Sequence, residues 1–283
     1  MTARLATHSD VAARAQDVLG RLVAAGVDVE QVSQVPPGAE VDLLDEVRDG
    51  HLDVVVVGLW ALRGTGADGL TMLAALPRED PRDALVSVDG PQRPLRELPA
   101  GVRVGVAGAR PTAFLMAHRP DLEPVGITED AETALSPGGE RRLAAAVVAS
   151  WQARRLGVGG RISEVLDARS WLPSPGQGIV AIMARHPIAE VTALDHLPSR
   201  TALRAELALL DALEVERDVA FGSLAQPSGR LMRLWAAVAS VDGTRLVRSD
   251  LTGPLDEPEL LGTSVARQLM QRGADMLLAG ASR

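Results

Sequence analysis

Arg78-Glu79-Asp80-Pro81-Arg82-Asp83-Ala84-Leu85-Val86-Ser87 divides the chain. Its first six residues are polar and carry a proline, which marks a break, and the apolar run that follows reads as a buried strand. Upstream, Arg4-Leu5-Ala6-Thr7 is a short apolar strand. His8-Ser9-Asp10 after it suits a helix N-cap, and residues 11–25 have helical spacing. Gly26 ends that helix, and residues 27–32 alternate like a second strand. Residues 41–48 read as a short helix, and the valines of Leu52-Asp53-Val54-Val55-Val56-Val57-Gly58 as a parallel strand buried on both faces. Strands alternating with helices predict an α/β sheet.

Downstream, Val102-Arg103-Val104-Gly105-Val106 predicts a strand and residues 110–118 a helix, with Pro111 tolerated in the first turn. Residues 140–156 predict a long amphipathic helix, apolar along Leu143, Val147 and Trp151. Leu172-Pro173-Ser174-Pro175-Gly176-Gln177-Gly178 is a second break. After it come a strand at 179–184, a helix at 199–213, and strands at 231–240 and 244–250 joined by Val241-Asp242-Gly243. A last helix spans 257–273.

The 283 residues suffice for two or three domains. Lys+Arg is 29 against 37 for Asp+Glu, and the net charge of -8 disfavours nucleic acid or an anionic membrane as partner. The sequence contains no Lys, Asn, Cys or Tyr. Schiff-base lysine, cysteine nucleophile, thiolate metal site, disulfide and tyrosine acid are therefore excluded. Aromatic residues are only 2%, too few for a base-stacking platform. Histidines at 8, 51, 118, 186 and 196 show no metal-ligand spacing. No apolar run reaches the ~20 residues of a membrane span, and the first residues lack a signal core, so the cytoplasm is the expected location.

Several stretches resemble the porphobilinogen deaminase (hydroxymethylbilane synthase) family. They are the first stretch quoted, Leu98-Pro99-Ala100-Gly101 with Arg119-Pro120-Asp121-Leu122, and the second break. Arg4-Leu5-Ala6-Thr7 and Thr201-Ala202-Leu203-Arg204-Ala205-Glu206 fall in the family's order, so the resemblance covers nearly the whole chain. It implies two periplasmic-binding-protein-like α/β lobes and a smaller α+β C-terminal domain. The first lobe would take 1–78 plus 178–196, the second 82–172, and the C-terminal domain 199–283. Members of the family join porphobilinogen units on a dipyrromethane cofactor bound to a cysteine, with an aspartate stabilising charge on the pyrroles and arginines holding their carboxylates.

Matched to that pattern, Trp60 stands at the family's lysine and Ala61 at its catalytic aspartate. Arg217 stands at the cofactor cysteine, so dipyrromethane is expected to be absent. Pro111 replaces one of two paired arginines, His8 replaces another arginine, and Arg110 and Arg155 are kept. The expected ligand contacts are therefore Ser9, Trp60, Arg110 and Arg155, with His8 and Asp10 as the acid/base pair; no metal is expected. Asp10 is equally an N-cap, and Arg155 equally a cation at a helix end. The resemblance and its gaps imply a protein without ordinary deaminase activity. One reading is an enzyme for a smaller, less anionic, pyrrole-like or biosynthetic intermediate; the other is a non-catalytic ligand-binding or partner pseudoenzyme. In either case the expected partner is a small molecule, pyrrole-like or carboxylate-bearing, bound by a monomer or small oligomer.

Overall fold

The computed structural model describes residues 2–8, 11, 14–35, 40–63, 69–127, 142–216 and 218–281. Four strands come first: β1 (Thr2–His8), β2 (Asp28–Val35), β3 (Val54–Val57) and β4 (Thr71–Ala75). Five follow the break at 78–82: β5 (Asp83–Ser87), β6 (Arg103–Val106), β7 (Glu123–Gly126), β8 (Ala145–Ala149) and β9 (Ile162–Val165). Then come β10 (Ala181–Ala184) and three longer strands, β11 (Phe221–Ser228), β12 (Leu231–Ala239) and β13 (Leu246–Pro254). The helices are α1 (Ala15–Ala24), α2 (Glu40–Arg48), α3 (Leu59–Leu62), α4 (Ala109–His118), α5 (Ser150–Arg155) and α6 (Ala189–Thr192). They are completed by α7 (Leu197–Leu213), α8 (Pro258–Gln271) and α9 (Asp275–Ala281).

Two five-stranded sheets are built alike. The first has the order β2-β1-β3-β10-β4 and the second β7-β6-β8-β5-β9. In each, three parallel strands are followed by an antiparallel one supplied by a chain passage between the sheets. The chain crosses at 76–82 and returns at 166–180, and the crossovers bond side by side: Leu76 N–H donates to Val180 and Glu79 N–H to Gly178. This is the bilobal architecture, with β11-β12-β13 and the last helices forming the smaller α+β unit.

Residue chemistry accounts for the central strands. All four valines of β3 are buried, as β-branched side chains between helical layers require. The helix expected over 140–156 does not form. Residues 145–149 are instead β8, paired in parallel with β6 on one side and antiparallel with β5 on the other, and only Ser150–Arg155 is helical. The three-to-four spacing of Leu143, Val147 and Trp151 fits a helix, but two ladders and full burial of Ala145 and Ala146 override it.

Gly178 keeps the crossovers in contact. Its φ is +84°, and an added Cβ would lie 2.7 Å from the Glu79 carbonyl oxygen. Gly178→Ala is expected to cost at least ~1–3 kcal/mol from the backbone conformation alone. Gly160→Ala, which points into open space, should stay within about 0.5 kcal/mol. Denaturant titration of both variants checks this, and equal midpoints would contradict it.

Candidate functional site

A cavity of about 210 Å³ lies beyond the carboxyl ends of β6, β7 and β8 in the second lobe. That is where α/β sheets place ligands. Its apolar wall includes Pro111, Ile127, Val147 and Ala149, and its polar groups are Asp83, Arg110, Gln152 and Gln177. Arg110 reaches it because α4 starts immediately after β6, at Gly108 with φ +89°.

The Arg110 guanidinium is bound to the chain itself. Its Nη1 donates to Asp83 Oδ2 at 2.6 Å and to the Leu172 carbonyl at 2.9 Å, and its Nε donates to Ser174 Oγ at 3.0 Å. Buried Asp83 also accepts from Trp171 Nε1 at 2.9 Å and from Gln177 Nε2 at 2.7 Å. The second crossover is thus pinned to the start of β5 by one carboxylate.

Arg155 is committed in the same way. Its Nε donates to Glu79 Oε1 and Oε2 at 3.0 and 3.2 Å, and its Nη2 approaches Asp17 Oδ2 at 3.5 Å. The Glu79 hydrogen bonds raise the Arg155 pKa. Arg14, 1% exposed, lies 3.4 Å from Glu79, bonds Asp17 at 3.3 Å and donates to the Gly178 carbonyl at 2.9 Å. Burial lowers the pKa of Arg14. For Asp17 burial opposes ionisation, but the hydrogen bonds from Arg14 and Arg21 outweigh it and hold the carboxyl below its ordinary range. A carboxyl whose folded pKa lies below its unfolded value stabilises above about pH 4, and that contribution fades as the pH falls through the depressed value. Asp17→Asn is therefore expected to flatten the acid limb of the stability curve, with urea midpoints measured between about pH 3 and 7 as the check.

The expected site residues are brought together only in part. Arg110 lines the cavity. Arg155 ends α5 at the adjoining crossover. Trp60, in α3, is half-buried and packs against the cluster between the first sheet and the C-terminal helices. Ala61 beside it is 4% exposed. His8 ends β1 opposite Val35, and its side chain, with Ser9, Asp10 and Arg217, lies outside the described residues. The sequence reading missed Asp83, Gln152 and Gln177 at the cavity and Asp17, Glu79 and Arg14 beside it. Glu79, Asp83 and Gln177 lie within the two stretches read as breaks, and their polar character beside Pro and Gly was the available signal. Among the described residues no helix is long and apolar enough to cross a membrane, and no group of three His, Asp or Glu converges as for a metal.

A family model described as "Porphobilinogen deaminase, dipyromethane cofactor binding domain" matches residues 40–193. The porphobilinogen deaminase of Desulforudis audaxviator is 40% identical over 234 residues, covering 81% of this chain and 75% of that one. That of Thermobifida fusca is 35% identical over 253 residues, covering 85% and 78%. The expectation that dipyrromethane is absent is corrected by this match, because the matched segment is the part described as binding it. The residues present fit such a group poorly: both retained arginines already hold carboxylates of the chain, and the sequence has no thiol for a thioether. No chemical step below runs through it.

Proposed function

Because the chain belongs to the porphobilinogen deaminase family, we propose that it is a divergent member without the ordinary polymerising reaction, acting in the cytoplasm on a smaller, less anionic pyrrole-like or biosynthetic intermediate. The ligand sits in the cleft between lobes formed by 1–78 plus 178–196 and by 82–172, with 199–283 as the supporting domain. The carrying observation is Ala61, a buried methyl at 4% exposure where the family's catalytic carboxylate is expected. A methyl group cannot stabilise a developing pyrrolic cation, and such charge stabilisation is commonly the largest part of catalysis. The cavity on the second lobe's side of that cleft supports the same reading as a subsite. At about 210 Å³ it falls below the ~300–1,000 Å³ of ordinary ligand sites and suits one small ring better than a growing chain of rings.

Within that cavity Arg110 supplies a cation already shared with Asp83, so it orients a ligand oxygen without a full free charge. Gln152 supplies a neutral carboxamide. The second reading, a binding protein without catalysis, is favoured by one observation. Among the described cavity-lining residues only Asp83 and Arg110 are ionisable, and they are bonded to each other.

The test is incubation with porphobilinogen, followed by acid oxidation and measurement of uroporphyrin. The protein is expected to form none at a useful rate, and Ala61→Asp alone is expected not to restore it. Robust uroporphyrin formation by the unaltered chain would overturn the proposal. Conversion of any small pyrrole to a new product decides for the enzyme; calorimetric binding without product decides for the pseudoenzyme.

A further inference from the structure

Among the described residues the two lobes share no apolar core. Among the described residues, the four clusters of buried hydrophobic side chains lie within the first sheet, within the second, or between one of these and the C-terminal unit. None joins the first sheet to the second. Each lobe packs on the C-terminal unit, and among the described residues no direct apolar contact between the lobes sets the width of the cleft. Charge joins them instead. Arg155 of the second lobe meets Glu79 on the first crossover and Asp17 on α1 of the first lobe, and buried Arg14 holds both carboxylates from behind. With Arg21, which also bonds Asp17 at 3.1 Å, three guanidiniums share these two carboxylates.

We propose that Asp17 and Glu79 are specificity-determining residues of the cleft: they occupy Arg155 as the carboxylates of a ligand would, hold the lobes closed without ligand, and must yield Arg155 before a carboxylate-bearing ligand binds. The competition part rests on the cleft being the ligand site; the closure part does not. The chemistry is simple exchange of one carboxylate for another on one guanidinium, with no bond broken. Multiply anionic ligands gain little, because the arginine they would meet already holds two carboxylates of the chain. Ligands that use the apolar wall and Gln152 gain relatively more.

The absence of native cysteine allows clean spin labelling at Val23→Cys on α1 and Arg96→Cys in the second lobe, both exposed. In ligand-free protein, the double variant Asp17→Asn/Glu79→Gln is expected to shift the interlobe distance distribution to longer, broader values. Arg155→Met should do the same. Asparagine and glutamine preserve shape and leave acceptor oxygens for Arg14, which also keeps its bond to the Gly178 carbonyl, and an unfolding midpoint measured on each labelled variant separates loss of fold from opening of the lobes. With porphobilinogen as probe, the double variant should bind about tenfold more tightly than the parent, within the usual range of coupled equilibria, while Arg155→Met should bind more weakly. An unchanged distance distribution in both variants overturns the clasp. Longer distances with unchanged porphobilinogen affinity overturn the competition. Failure of porphobilinogen to bind any of the proteins overturns the cleft reading and the competition with it, while the ligand-free distances still decide whether the clasp exists.

Discussion

Glu206→Ala should lower stability by roughly 3–5 kcal/mol and the thermal midpoint by on the order of 10 °C, the largest loss expected from any single change in the chain. Glu206 lies on α7 at 0% exposure. One oxygen accepts from Arg78 Nη1 at 2.6 Å and from the Ala225 amide at 2.8 Å, and the other accepts from the Gly176 amide at 2.6 Å. This carboxylate therefore ties both crossovers and the third sheet to one helix. Removing it strands the Arg78 guanidinium and two buried amides, and leaving such groups unpaired costs far more than the pair itself contributes. Glu259→Ala is the control, because its partner Arg204 and Glu259 itself are about half exposed and such pairs contribute ~0–1 kcal/mol. Denaturant unfolding of both variants is the measurement. Similar losses would show that burial of Glu206 confers no special role.

Asp83→Ala should cost nearly as much, again about 3–5 kcal/mol, with Arg110 left as the unpaired buried charge. A companion change separates the charge effect from lost packing. Asp83→Ala combined with Arg110→Met should be more stable than Asp83→Ala alone, because the stranded cation is gone. Hydrogen exchange should locate the damage in 172–177, whose contacts to Asp83 run through Arg110 and Gln177. If the double variant is less stable than the single one, Arg110 is not held in place by Asp83. By the same geometry, loss of Arg110 disturbs the cavity and the fold at once.

Much of the fold was legible because its signals are local. The four valines of β3, the two polar breaks and the turn at Val241-Asp242-Gly243 each declare themselves within a few residues. Residues 145–149 did not, since their strand state is imposed by β6 and β5 on either side. The candidate site was legible in its cations and illegible in their partners. Arg110 and Arg155 stand out by motif, but nothing near them in sequence announces that Asp83 and Glu79 fold back onto them from 27 and 76 positions away. Trp60 shows the same limit. Its position at a strand's end suggests a cleft wall, and only the packing of α7 under α3 shows which side it covers.

The placement of β10 between β3 and β4 bears on how the protein emerges from the ribosome. The second sheet is encoded without interruption between residues 83 and 165, so its five strands can pair as soon as that segment is out. The first sheet is made earlier but cannot close until residues 181–184 arrive. Throughout that interval β3 and β4 present open edges, the kind of surface on which nascent chains pair wrongly with one another. A nascent chain that has emerged as far as residue 170 would therefore display one finished lobe and one unfinished lobe, and the older of the two would be the one needing a chaperone.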